Sequence, residues 1–321
     1  MSQELFDEAD RLEDEGQNEQ ALGIWRQLSE IEPTRNVFLR LGRLARELGL
    51  ADEAEKAFQR AIKSDPRSWL ALTSLGSLAI RRGEYSAAVN YLRLAREIKE
   101  DPGSLSILGD ALRNTGRDSE AEEAYRSAIQ IDPNYEEAYY NLGVLLRHRP
   151  AEAQALLRRA IELDPVFAAA HRELGFLLSE RAPSTEAEAH LRKALELDPK
   201  DGWAHIYLGS CLWRRAAVDA AVAEFRIAQE LEPDWSVPLW SLGNIYDYES
   251  IDLNMAKSYF ERALEQEHDD WNALKGLARV NLKLGNASLA KGFILRALQQ
   301  HPNHEKSVEL LREIDEAADP E

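Results

Sequence analysis

One cysteine in 321 residues, Cys211, leaves no partner for an intrachain disulfide and excludes a metal site built on cysteines. Apolar residues make up 44% of the chain, yet no apolar run approaches the roughly 20 residues that would span a bilayer. The N-terminal stretch, Met1-Ser2-Gln3-Glu4-Leu5-Phe6-Asp7-Glu8, is acidic and lacks a basic-then-apolar signal pattern. No glycine-rich loop follows a strand, and no strand pattern is evident. The seven histidines are scattered, and His301 and His304 flank Pro302-Asn303 without the carboxylates of a metal site. Cys211 falls mid-helix with no consistent histidine partner, which suits packing rather than nucleophilic chemistry. Carboxylate pairs are spread over the polar faces, so none stands out as a general acid or base. These absences predict a cytoplasmic protein that is not an enzyme and that needs no cofactor and no metal.

What is present is a ruler of glycines. Gly42, Gly76, Gly109, Gly143, Gly175, Gly209 and Gly243 are separated by 34, 33, 34, 32, 34 and 34 residues. A period near 34 marks one small supersecondary unit copied head to tail, an architecture that mainly provides surface for holding other molecules. Residues 35–68 display the unit clearly. Phe38, Leu41, Gly42 and Ala45 form one helical stripe, Gly49 supplies a tight turn, and Ala54, Phe58, Ala61 and Ile62 form a second stripe. Asp65-Pro66 ends it, because proline cannot continue the hydrogen-bond ladder and biases its predecessor away from helix. Small residues at 42, 54 and 61 allow two helix backbones to approach closely while Phe38, Leu41 and Phe58 fill the space between them. The unit is an antiparallel helix pair.

The pattern of a large residue, Leu-Gly, a large residue, Ala, an aromatic, Ala and Pro resembles the tetratricopeptide repeat. It recurs, for example, as Leu105, Leu108-Gly109, Leu112, Ala121, Tyr125, Ala128 and Pro133, and as His205, Leu208-Gly209, Leu212, Ala221, Phe225, Ala228 and Pro233. The resemblance implies an all-α, right-handed α-solenoid of stacked antiparallel pairs. About nine units are expected, at 2–34, 35–68, 69–102, 103–135, 136–167, 168–201, 202–235, 236–270 and 271–304. Residues 305–321 are expected to add a capping helix and an acidic tail, with Val308, Leu311 and Ile314 on one face. The fifth copy is short by about two residues around Leu146-Arg147-His148-Arg149-Pro150-Ala151, and the eighth gains one near Tyr248-Glu249-Ser250-Ile251-Asp252. The fifth to eighth turns also lack the glycine found at Gly49, Gly83, Gly116 and Gly285, so local changes of superhelical pitch are expected there.

Charge is uneven. The net charge is -18, with ten acids against Arg11 and Arg26 in residues 1–32 and seven against Lys306 and Arg312 in residues 305–321. Acid at both ends of a stack suits solubilising caps, or alternatively a docking site at the first repeat. In the family the first helix of each pair lines a concave groove. Mapped by that resemblance, the groove positions offer Arg40, Arg43, Arg46, Arg81, Arg113, Asn114, Asn141, Arg147, His148, Arg172 and Arg214, among the acids Glu47, Asp110, Glu137, Glu173 and Glu180. Toward the C-terminal half they turn aromatic, with Tyr140, Phe176, Trp203, Tyr207, Trp213, Trp240 and Tyr248 beside Asn244 and Asp247, followed by Lys275, Arg279 and Lys283. Guanidinium forks suit carboxylates, and tryptophan and tyrosine are common anchors at binding surfaces. The same arginines could instead pair with neighbouring acids on a solvated face, and some aromatics could pack on the preceding pair. The lysine and asparagine set with which some family members clamp a C-terminal carboxylate is absent, since Leu39/Arg43, Ser74 and Gly103/Ile107 occupy those positions.

The sequence therefore points to a non-enzymatic scaffold or adaptor that binds an extended or helical protein segment, with acidic and aromatic or apolar side chains, in a groove. Alternatives are a regulatory or substrate-recruiting subunit of an enzyme complex, an RNA-binding repeat protein, which the net charge opposes, and a homo-oligomer formed through end helices.

Overall fold

The computed structural model describes residues 2–181, 184–248 and 251–318, and all regular structure among them is helical. The chain divides into two compact units, Met1–Asp164 and Pro165–Glu321. The first holds five helix pairs: α1 (Ser2–Asp14) with α2 (Asn18–Ile31), α3 (Arg35–Glu47) with α4 (Ala51–Ser64), α5 (Trp69–Arg81) with α6 (Tyr85–Ile98), α7 (Pro102–Asn114) with α8 (Asp118–Ile131), and α9 (Glu136–Leu145) with α10 (Pro150–Leu163). The second holds four: α11 (Ala168–Arg181) with α12 (Thr185–Leu197), α13 (Gly202–Arg214) with α14 (Val218–Leu231), α15 (Ser236–Tyr248) with α16 (Leu253–Gln266), and α17 (Trp271–Lys283) with α18 (Ala287–Gln300). A last helix, α19 (Glu305–Ala318), packs on α17 and α18. Its buried face is Ser307, Leu310 and Ile314, with Val308 and Leu311 only half-buried, so the face is rotated slightly from the expected one.

The glycine ruler records where paired helices touch. A β-carbon on Gly42 would lie 2.6 Å from the Phe58 ring, one on Gly109 2.5 Å from Tyr125, and one on Gly209 2.8 Å from Phe225. Real side chains do not approach so closely, so these first helices need glycine where the large residue of the partner lies across them. That partner is Leu92 for Gly76 and Leu191 for Gly175. In all five cases it follows its glycine by 16 positions; the shortened fifth copy brings Leu157 to Gly143 after 14, and the lengthened eighth brings Phe260 to Gly243 after 17. The first and ninth pairs instead have Ala9 before Trp25 and Ala278 before Ile294, at the same spacing of 16.

Helix ends follow from local chemistry. Asp65, Asp132, Asp164 and Asp198, each before a proline, adopt extended backbone and close the preceding helix with one N–H to a carbonyl four residues back. The large residue that opens several first helices then reaches back to the proline carbonyl. Tyr139 Oη donates to Pro133 O at 3.2 Å, while His171 Nε2 and His205 Nε2 lie 3.2 Å from Pro165 O and Pro199 O. Gly49, Gly83, Gly116 and Gly285 take positive φ in the turns inside their pairs. In the seventh pair, which has no glycine there, Ala216 adopts φ 61, a left-handed conformation that disfavours a β-carbon. The fifth pair instead shortens its first helix to ten residues and turns through Leu146–Arg149. The extra residue expected in the eighth copy falls at Glu249-Ser250, outside the described residues. Cys211 is fully buried, and burial pushes its thiol pKa up, in keeping with a packing role.

Two outcomes follow. Gly109→Ala should lower the unfolding free energy by about 1–3 kcal/mol through overpacking against Tyr125, whereas Gly23→Ala in α2, where nothing lies within 4 Å, should raise it by about 0.5–1 kcal/mol; urea unfolding reads both. Burial disfavours a charged His205, but Glu224 Oε2 at 2.6 Å from Nδ1 and the Pro199 carbonyl outweigh it and raise the pKa. Its stabilisation should be complete below about pH 6.5 and fade as pH rises through the higher folded value. Glu224→Gln should flatten that slope in melting curves taken between pH 5 and 9.

Candidate functional site

Within each unit the first helices touch one another in succession: α3, α5, α7 and α9 in the first, and α11, α13, α15, α17 and α19 in the second. Among the described residues, successive second helices make no comparable contact. The first helices therefore form the closely packed inner flank of each unit, where the family resemblance places a groove.

In the first unit this flank holds a cleft of about 570 Å³. Leu39 of α3, Leu70 of α5, Ile107 of α7 and Phe6 of α1 give it apolar walls, with Thr73, Ser74 and Ser77 between them. Leu70 is 47% exposed. Three arginines of α3 enter the same space, and two are already engaged. Arg40 lies 3.3 Å from Asp10 and 3.5 Å from Glu13, over the Trp25 ring. Arg43 pairs with Glu13 and, at 2.9 Å, with Glu47. Glu13 also accepts the Trp25 indole N–H at 2.6 Å. The acids of the first pair thus neutralise the start of the arginine wall from within the chain. Arg46, half-buried, has no carboxylate within ion-pair distance among the described residues.

The other predicted residues of this unit lie apart from the cleft lining. Arg81 is exposed at the end of α5. Arg113 sits 4.0 Å from Asp110, and Asn114 donates to the Asp110 carbonyl at 2.8 Å. Burial raises the Asp110 carboxyl above its ordinary range, against the lowering effect of the Tyr125 hydroxyl 2.7 Å away. Asn141 donates to Ser106 Oγ at 3.2 Å, and Tyr140 is half-buried beside it on α9. Arg147 and His148 are not on the first helix as mapped. Because α9 stops at Leu145, both lie exposed in the turn, and His148 receives a hydrogen bond from Arg149.

In the second unit the predicted residues largely hold one another. Arg172 pairs with Asp201, the N-cap of α13, at 2.7 Å, and with Glu173 at 3.4 Å. Phe176 lies on Tyr207 at 4.5 Å, which continues to Trp203 and Trp235. Arg214 donates to the Ser179 and Glu180 carbonyls and so ties α13 to the end of α11. Trp240 packs against the core around Leu239 and Phe260. Trp213 meets Tyr248 edge to face at 5.7 Å. Asn244 accepts from Arg279 at 2.9 Å, and Arg279 with Lys283 engages the fully buried Asp247. His301 and His304 pack their rings edge-on to Trp271, and His304 receives the Ser307 N–H at the start of α19.

The tetratricopeptide repeat pattern matches residues 39–104, 184–235 and 252–305, more than half of the chain, and a related repeat pattern matches 109–147. The chain belongs to the tetratricopeptide repeat family. It is similar to the protein O-mannosyl-transferase Tmtc3 of Drosophila melanogaster, 35% identical over 130 residues that make up 39% of this chain and 14% of that one. The peroxisomal targeting signal receptor of Candida albicans is 37% identical over 71 residues, 22% of this chain and 12% of the receptor. The chain therefore spans only a small part of the curated relatives it matches. Among solved structures, a chain of the APC/C hetero-tetramer Cut9-Hcn1 superposes with a TM-score of 0.65 at 17% identity, covering 92% of this chain and 59% of that one, a likeness of fold. No helix among the described residues is long and apolar enough to cross a membrane.

A tetratricopeptide groove read from repeat positions finds the arginines but not their engagement. It also passes over Phe6, Leu39, Leu70 and Ile107, whose apolar side chains make the cleft; the signal available was large apolar residues left over after the core stripe is assigned. Asp247→Asn should lower stability by about 1–3 kcal/mol, because two cations lose the charged acceptor that fixes them; chemical unfolding measures it.

Proposed function

We propose that the protein is a non-enzymatic, cytoplasmic tetratricopeptide scaffold whose inner flank takes up an extended or helical segment of a partner protein. The observation that carries this reading is the cleft of the first unit, where exposed Leu70 stands among apolar walls and Arg46 brings a cation without a carboxylate of its own. Such a lining suits a segment that offers an apolar side chain next to an acid. Tetratricopeptide folds generally bind proteins or peptides, which supports the class of function. The matched stretch is 14% of the transferase relative, so its reaction does not come with the repeats. An RNA ligand is disfavoured by the net charge of -18.

Arg46→Glu combined with Leu70→Ala breaks no ion pair of the described residues, so helicity and melting should stay near those of the unaltered protein. Capture from a lysate of the source cells should lose its partner with this variant and keep it after nuclease treatment. A partner retained by the variant, or released by nuclease, overturns the reading.

A further inference from the structure

We propose that the inner flank of the second unit carries a pocket for an acidic segment of a partner protein, in which an aromatic side chain is flanked by carboxylates. The inference rests on the groove reading above and specifies the chemistry at one place in it. The pocket, about 330 Å³, lies between Trp213 of α13, Asn244 and Tyr248 of α15, and Lys275, Arg279 and Lys283 of α17.

The charges around it do not cancel. Among the described residues, Asp247 is the one carboxylate paired with any of the three cations, and it takes both Arg279 and Lys283 from a fully buried position. Lys275 has no carboxylate within ion-pair distance, and its Nζ lies 3.9 Å over the Trp271 ring. Burial, with the nearby charges of Arg279 and Lys306, pushes its ammonium down to about 8, and Asp270 offsets this only in part. A positive charge is thus held where water and acids serve it poorly, and a carboxylate from a guest would supply what is missing. Asp247 and Asn244 fix the Arg279 guanidinium before any guest arrives, which reduces the ordering that binding requires.

The aromatic half of the site is equally unfinished. Tyr248 is 72% exposed and touches Trp213 only edge to face, which leaves ring surface to receive a planar guest. A volume of about 330 Å³ is at the small end for ligand pockets and admits one or two side chains.

The full chain titrated calorimetrically with the peptide acetyl-Glu-Phe-Glu-amide should show a Kd below about 1 mM. The Gln-Phe-Gln peptide should bind at least tenfold more weakly, and Glu-Ala-Glu several-fold more weakly. Lys275→Met, which removes no ion pair, should weaken the acidic peptide about tenfold without loss of helicity, and Tyr248→Ala should remove the preference for phenylalanine. Equal affinity for the Glu and Gln peptides, no binding of any of them, or displacement by equimolar inorganic phosphate overturns the proposal. Arg46-dependent capture that persists alongside such a result sinks this pocket alone. Lost Arg46 dependence with peptide discrimination intact sinks the first-unit reading and spares the pocket.

Discussion

From the second pair to the eighth, the helices close where a glycine of one lies flat against a ring or leucine of the next, at distances that leave no room for a β-carbon. Much else is arranged around that contact. It sets how near the two backbones come, and therefore which residues between them are buried as alanines and which as rings. It also explains why the ruler is glycine in the second to eighth pairs, while Ala9 and Ala278 stand there in the first and ninth. Phe260 presses the point furthest, since Gly243 and Gly276, from successive first helices, both face its ring. One side chain there joins a pair internally and to its successor.

On that frame, charge is organised mainly by the chain for itself. Arg26 with Glu53, Arg93 with Glu120 and Arg149 with Glu122 join residues 27 positions apart, linking one copy to the next over the exposed faces. Such exposed pairs are individually weak, at about 0–1 kcal/mol. The inner flank repeats the habit: Glu13 gathers Arg40, Arg43 and Trp25 around one carboxylate. Among the described residues, Arg46, Arg81 and Lys275 of the flank have no ion pair, and Arg46 and Lys275 adjoin apolar or aromatic surface. Recognition on this kind of scaffold depends on what the chain has left unneutralised rather than on how many arginines it carries.

The fold was legible in the sequence because each repeat writes its contacts at fixed spacings: Gly42 and Phe58, or Gly109 and Tyr125, could be paired without coordinates. The site was only partly legible, for reasons that are equally physical. The ion pairs of Glu13 with Arg43 and of Asp247 with Arg279 join residues 30 or more apart, and spacing within one helix does not reveal them. A two-residue deletion shortened α9 and left Arg147 in a turn, so position counting failed there. Trp240 and Trp213 look alike in the sequence and both are half-buried against a core cluster, yet Trp213 also edges a pocket.

Ala216 holds a left-handed turn of the kind that five other pairs entrust to glycine, at Gly16, Gly49, Gly83, Gly116 and Gly285. A β-carbon in that conformation carries a local cost of roughly 1–2 kcal/mol, which the packing of α13 on α14 has to outweigh. Among the described residues, the seventh copy is thus the place where a left-handed turn is kept without glycine.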